Sequence, residues 1–95
     1  MSEAAIGIDL RDERDGWLAE VTVTEAGAST RHRVRVSRAA RERLAPRATP
    51  TELVRASFAF LLDREAKESI LPAFAIEEIE RYFPQYATEI AARLA

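Results

Sequence analysis

The sequence predicts an α+β fold class, in which a three-stranded antiparallel meander sheet is followed by three to five helices packed on one face. Two observations lead to this prediction. Apolar residues alternate with polar ones in three segments before residue 37, and after it they recur every three or four residues. Both connections between the alternating segments are short, which is typical of antiparallel hairpins. Because 95 residues suffice for one domain, we expect a single domain over 1–95, with the meander in 1–36 and the helical part in 37–95.

The alternating segments predict three strands, at 5–10, 17–24 and 30–36. Asp15 and Gly16 form a favourable turn pair in the first connection. In the second connection, a turn over 25–30 puts Glu20 opposite Arg35. The meander then has one apolar face, which the helices must cover because a three-stranded sheet is not stable with that face in water.

Capping residues mark where the helical part begins. Ser37 is a favourable N-cap for a short helix at 38–44. Thr49 and Glu52 have the spacing of a capping box, which predicts a second helix that runs to about Arg64.

The last third of the chain predicts shorter helical segments. A helical turn is expected at Ser69–Leu71, and Pro84 separates two later helices because a proline disfavours a helical residue before it. Apolar residues recur at helical spacing on both sides of that proline: Ile76, Ile79 and Phe83 before it, and Tyr86, Ile90 and Leu94 after it.

Residues that the sequence lacks exclude several classes of function. It contains no cysteine, which excludes disulfide scaffolds, thiolate metal centres and cysteine nucleophiles. Its one histidine, His32, falls on the apolar face of the third strand, where we expect a buried, hydrogen-bonded ring rather than a ligand or general base. The three glycines form no phosphate-binding loop. We therefore predict no cofactor, no metal and no enzymatic activity.

Hydropathy and the first residues predict a cytoplasmic protein. No apolar run approaches the roughly 20 residues that cross a bilayer. The start Met-Ser-Glu-Ala-Ala also lacks the basic and apolar segments of a signal peptide. We therefore expect no membrane partner.

Charge is strongly segregated along the chain, although the net charge is only −2. Residues 1–30 sum to −5, residues 31–47 to +6 and residues 48–95 to −3. Alternation places three arginines of the basic segment in a row on the solvent face of the third strand, about 7 Å apart, and three more follow on the next helix. These candidate partner-binding residues are Arg31, Arg33, Arg35, Arg38, Arg41 and Arg43.

Three interpretations of these arginines stay open. They form a solvated face that pairs with Glu20 and Asp9, an interface with a protein partner, or a nucleic-acid site in which guanidinium groups contact successive phosphates. A sequence pI of about 5.5 and the lack of aromatic residues among the arginines count against nucleic acid. Tyr82 and Tyr86 are further candidate partner-binding residues wherever they are exposed, since the aromatic cluster around Pro84 is otherwise core.

Part of the helical half resembles a group of small uncharacterised bacterial proteins. The resemblance rests on Ser57–Glu65 (SFAFLLDRE), Glu68–Leu71 (ESIL), Phe74 and Ile79–Tyr86 (IERYFPQY), which are similar to the SFEFLLEREP, ESIL, F and YFPEY segments of that group. Ala66 and Gln85 depart from the pattern, because the group has proline and glutamate there. The resemblance implies a hairpin-then-helices layout and a bacterial source, and it implies no activity.

Together these patterns favour a non-catalytic bacterial binding or regulatory domain that acts through protein–protein interaction, with self-association as a homodimer included. The alternative is a nucleic-acid-associated, antitoxin-like regulator. That regulator would use the arginine-rich third strand and the helix that follows it.

Overall fold

The computed structural model describes residues 4–95 and contains one four-stranded sheet with helices on one of its faces. Its elements are β1 (Ala5–Glu13), β2 (Gly16–Glu25), β3 (Ala28–Ser37), α1 (Arg38–Leu44), α2 (Pro50–Leu62), β4 (Ala73–Ala75), α3 (Ile79–Tyr82) and α4 (Tyr86–Arg93). Two 3₁₀ turns, Lys67–Ser69 and Ile76–Glu78, precede β4 and α3. The predicted α+β fold, a meander followed by helices, is confirmed.

The hairpin between β2 and β3 is tighter than the sequence suggests. Glu20 lies opposite Arg33, and the predicted pairing of Glu20 with Arg35 is wrong, because Ala26 and Gly27 alone make the turn. Their φ angles of 53° and 80° are both left-handed, as a two-residue type I′ hairpin requires. The register moves by two residues, so every side chain keeps the face that alternation assigned to it.

The hairpin between β1 and β2 requires a glycine as the first residue of β2. Gly16 pairs with Glu13 on one side and with Ser37 on the other. A Cβ atom on Gly16 would overlap the carbonyl oxygen of Val36. Only a residue without a side chain therefore lets β2 start this close to the end of β3.

β4 is an addition that the prediction of three strands missed. Ala73–Ala75 pair in parallel with Arg33–Arg35 of β3. The backbone N–H of Arg33 also donates to the carbonyl oxygen of Pro72 at 2.8 Å. A segment of three residues is too short for alternation to reveal a strand.

His32 is buried on the helix-covered face, as its position in the sequence predicts. Its Nδ1 donates to the carbonyl oxygen of Leu71 at 2.8 Å, which leaves Nε2 to accept from the Thr30 hydroxyl at 2.8 Å. The ring also packs against Phe58, with centroids 5.4 Å apart. Both ring nitrogens are satisfied, and the histidine joins β3 to the segment that leads into β4.

The caps of α1 and α2 are those that the sequence predicts. The Ser37 hydroxyl accepts from the backbone N–H of Ala40 at 3.0 Å. Thr49 and Glu52 form the reciprocal capping box, at 3.1 and 2.8 Å. α2 ends at Leu62, slightly earlier than predicted, and the turn expected at Ser69–Leu71 lies at Lys67–Ser69.

The core lies between the sheet and the helices. It consists of alternating residues of β2 and β3, one face of α2 and residues of later segments. Its largest fully buried side chains include Val21, Val34, Leu53, Phe58, Phe60, Ile76 and Tyr86. The opposite face of the sheet carries exposed charged residues instead. Within residues 4–95, no helix is both long and apolar enough to cross a membrane.

Candidate functional site

The predicted arginine row is present on the open face of the sheet. Arg31, Arg33 and Arg35 are all exposed, on the face that no helix covers. Arg33 lies 3.8 Å from Glu20, which also pairs with Arg11 at 3.2 Å. Arg31 and Arg35 form no ion pair with any residue between 4 and 95. The open face thus mixes both signs of charge, and two of its guanidinium groups have no acidic partner among the described residues.

The three helical arginines do not extend this row. The guanidinium groups of Arg38 and Arg41 lie 4.9 and 6.0 Å from the ring centroid of Trp17, a residue of the helix-covered face. Arg43 forms two hydrogen bonds with Glu80, and these raise the pKa of Arg43 above its ordinary value. The six arginines therefore occupy three separate environments, which the sequence pattern did not reveal.

Tyr86 is not a partner-binding residue of this fold, and its assignment as a candidate is corrected. Its side chain is 0% exposed, because α4 turns it towards α2. Its hydroxyl donates to Ser57 Oγ at 2.6 Å, and Ser57 Oγ donates in turn to the carbonyl oxygen of Leu53 at 2.7 Å. Burial raises the pKa of Tyr86. The residue is a hydrogen-bonded part of the core.

Tyr82, four residues earlier, is in the opposite situation. Tyr82 is 66% exposed, and Leu71 is 45% exposed. These two are the exposed large hydrophobic residues of the described chain. Both line the same groove, which has a volume of about 230 Å³.

This groove, called the Tyr82 groove below, is formed by the end of α2, the 3₁₀ turn Lys67–Ser69 and the residues beside it, β4, the 3₁₀ turn Ile76–Glu78 and α3. Its apolar lining is Leu61, Ile70, Leu71, Phe74, Ile79, Tyr82 and Phe83, and its polar lining is Glu65, Ser69 and Glu78. Because its walls come from segments that follow one another along the chain, the path of the chain after α2 determines its shape.

The walls of the groove are held by contacts behind it. Arg64 stacks on the Phe60 ring, 3.7 Å from its centroid, and binds both carboxylate oxygens of Glu89 at 2.9 and 3.0 Å. Glu78 accepts from the backbone N–H of Ala75 at 2.7 Å, which fixes the link from β4 to α3. The groove is therefore a formed feature of the folded chain.

Sequence reasoning identified Tyr82 but missed Leu71 and the groove itself. The available signal was local: Leu71 is an apolar residue directly before Pro72, outside every helical stripe. That signal does not show which distant residues lie beside Leu71, and the sequence even predicted a helical turn there, whereas the structure ends that turn at Ser69.

Comparisons with models of known protein families, with curated proteins and with solved structures give no match for this chain. The resemblance to small bacterial proteins stays a prediction.

Proposed function

We propose that this chain is a non-catalytic interaction module that binds a partner protein through the Tyr82 groove. One observation carries the proposal: the two exposed large hydrophobic residues, Leu71 and Tyr82, line one apolar groove. Apolar side chains scattered singly over a surface need no explanation, but apolar residues that converge on a concave site are typical of recognition surfaces.

The groove suits a side chain better than a small-molecule ligand. Its volume of about 230 Å³ is below the roughly 300–1,000 Å³ of sites for drug-sized ligands. Tyr82 offers a large, rigid apolar ring with a polar tip, the combination that is enriched at the energetic centres of protein interfaces. We therefore expect a single leucine or aromatic residue of the partner to occupy the groove.

The charged residues of the groove indicate which residues the partner should carry next to its apolar anchor. Glu65 and Glu78 are its charged lining residues, and neither forms an ion pair with another residue of the described range. Opposite charges across an interface favour the correct partner and speed association. The partner segment should therefore carry lysine or arginine beside its apolar anchor.

The segments that carry the predicted resemblance include most of the groove. Every lining residue of the groove except Glu78 lies in the segments that resemble the small bacterial proteins.

Selection from a random peptide display library tests the proposal. We expect the selected peptides to contain a leucine or aromatic residue next to lysine or arginine. Their Kd should rise at least tenfold in Leu71→Ala and in Tyr82→Ala. Thr88→Ala, an exposed change on α4 outside the groove, should change the Kd by less than twofold.

The charge part of the proposal has its own test. Glu65→Gln should weaken the selected peptides severalfold at low salt and change little at high salt, because exposed charges are screened. A library that yields no binder would contradict the proposal. So would peptides that bind Tyr82→Ala as well as the unaltered protein.

Nucleic-acid binding is the second candidate, and one observation favours it. Arg31 and Arg35 are exposed on an uncovered sheet face without an ion-pair partner among residues 4–95. Three phosphate contacts would give log K a slope of about −2.7 against log salt on duplex DNA. The measurement is a titration with labelled duplex DNA and single-stranded RNA, beside the Arg31/Arg33/Arg35→Glu variant. Binding that is salt-independent, or that survives in the variant, would exclude this use of the row.

A further inference from the structure

β1 forms an outer edge of the sheet that is open along most of its length. The strand pairs with β2 without interruption from Ala5 to Glu13, and no strand formed by residues 4–95 lies on its other side. One side chain reaches that outer edge: Arg55 Nη1 donates to the carbonyl oxygen of Ile6 at 2.8 Å. Alternate residues of a strand direct their backbone groups to the same side, so Ile8 and Leu10 also present their N–H and C=O groups outwards.

The middle of β1 lacks two of the devices by which proteins protect an edge strand, a proline and a β-bulge, although it does carry charged residues. Its sequence, AIGIDLRDE, contains neither lysine nor proline, and its register with β2 contains no bulge. Within residues 4–95, no hydrogen bond other than that of Arg55 covers the outer edge. Ile8 and Leu10 are only half-buried against the core. Both the backbone and the apolar side chains of this edge are therefore incompletely covered.

Charge on the open face points to what covers this edge. Asp9 lies directly opposite Glu20, and like charges in this position are destabilising. Asp9 forms no ion pair with a described residue. Arg11 lies two residues further along the same face of the same strand. A second copy of β1, running antiparallel, carries the complementary pattern.

We propose that two copies of this chain pair through β1, antiparallel and about a two-fold axis, with Leu10 opposite the partner's Leu10. In this register Asp9 lies opposite the partner's Arg11, and the same pair repeats by symmetry. Backbone groups that face outwards on both strands then form about six hydrogen bonds. The two sheets become one continuous sheet, with all helices on the same face.

The alternative registers are less favourable. A two-fold axis at Asp9 would put two aspartates opposite each other. An axis at Ile8 would require the partner strand to displace Arg55 from the carbonyl oxygen of Ile6. An axis at Leu10 leaves that hydrogen bond in place and uses the uncovered part of the edge.

This dimer does not rest on the proposed function, and it leaves the Tyr82 groove free. The groove contains Phe74 of β4, which lies at the other end of the strand order β1-β2-β3-β4. Two open grooves at the far ends of one sheet would make the dimer bivalent, which increases avidity for a partner that presents two anchors.

Charge reversal tests the dimer and its register together. Sedimentation velocity should show a dimer for the unaltered protein. Asp9→Arg or Arg11→Asp alone should raise the dimer Kd by about tenfold or more, because each puts two like-charged pairs across the interface. An equimolar mixture of the two variants should form a heterodimer, since each altered pair then meets its opposite charge. Circular dichroism confirms that each variant is folded.

Matched controls separate this edge from other modes of association. Arg31→Asp alters the same open face on β3, two strands from the edge, and should leave the dimer intact. Leu10→Cys should give a disulfide-linked dimer on oxidation, because the Cα atoms of residues paired in this way lie about 5.5 Å apart, which fits a disulfide. The product should be single, because the sequence has no other cysteine. Ile8→Cys should not cross-link, because its two copies would be offset by roughly 13 Å along the strands.

Four results would contradict the proposed dimer or its register. A monomer for the unaltered protein at high micromolar concentration would overturn the proposal. So would failure of the mixed variants to associate, or dissociation caused by Arg31→Asp. Cross-linking of Ile8→Cys in preference to Leu10→Cys would overturn the register.

Discussion

Two aromatic regions that share α2 have opposite exposure to solvent. Between α2 and α4, Phe60 and Tyr86 are both completely buried, with ring centroids 5.3 Å apart. Beyond the end of α2, Leu71 and Tyr82 line the Tyr82 groove and remain exposed. The first region uses its aromatic area to stabilise the fold, whereas the second leaves it available to a partner. Residue type therefore does not distinguish the aromatic residues of the core from those that the proposed function assigns to binding, but burial does.

Phe60→Ala should have the largest effect on stability, because it removes the centre of the buried region. The ring lies 5.3 Å from Tyr86, 5.7 Å from Phe83 and under the guanidinium group of Arg64. Truncation of a buried phenylalanine lowers the free energy of unfolding by about 3–5 kcal/mol. Urea denaturation measures this loss, and a loss below 1 kcal/mol would show that the region is not closely packed.

Tyr86→Phe should lower the free energy of unfolding by less, about 1–3 kcal/mol, because it removes only the hydroxyl that donates to Ser57. The substitution should also change how the free energy of unfolding depends on pH. Burial raises the pKa of Tyr86, so the unfolded chain releases this proton first, and the unaltered protein loses stability as pH rises above about 10. Urea titrations at pH 8 and above pH 10 should show a smaller loss in Tyr86→Phe. An equal loss in both proteins would contradict the assignment.

Thr49→Ala tests α2, the wall that both regions share. It should lower the free energy of unfolding by about 1 kcal/mol, because one half of the capping box is lost. Thr51→Ala changes the same helix without removing the cap and serves as its control. Equal urea midpoints for the two variants would show that the cap contributes nothing.

The smallest effects on stability should come from the groove. Leu71→Ala and Tyr82→Ala should each change the free energy of unfolding by less than about 0.5 kcal/mol, because both side chains are exposed. Urea denaturation of each variant beside Phe60→Ala sharpens the contrast between the two regions. A loss of 2 kcal/mol or more in Tyr82→Ala would mean that its ring stabilises the fold, which would remove the basis for the proposed function.

The sequence predicted those features that depend on interactions between residues close together in the chain. Alternation identified β1 to β3, and the side chains of Ser37 and Thr49 marked the starts of α1 and α2, because each signal acts within a few residues. The β2–β3 register depended on the left-handed conformations of Ala26 and Gly27. The prediction failed there because alanine rarely adopts that conformation and gave no warning of it.

The site required information of longer range. Tyr82 and Tyr86 both belong to the motif YFPQY, and spacing alone gave them the same candidate role. Their difference arises because Tyr86 meets Ser57, 29 positions away in sequence. The groove and β4 likewise depend on how the chain returns after α2, where no periodic pattern exists. The arginine row was predicted on the correct face, but its separation from Arg38, Arg41 and Arg43 depends on the ring of Trp17 and on Glu80.

The two tyrosines allow the most direct test of whether the Tyr82 groove binds an apolar anchor of a partner. The Kd of one library-selected peptide should be measured by isothermal titration calorimetry for the unaltered protein, Tyr82→Ala and Tyr86→Phe. We expect a Kd at least tenfold higher in Tyr82→Ala and an unchanged Kd in Tyr86→Phe, although the second variant is the less stable. Weaker binding in Tyr86→Phe together with normal binding in Tyr82→Ala would contradict the proposed function.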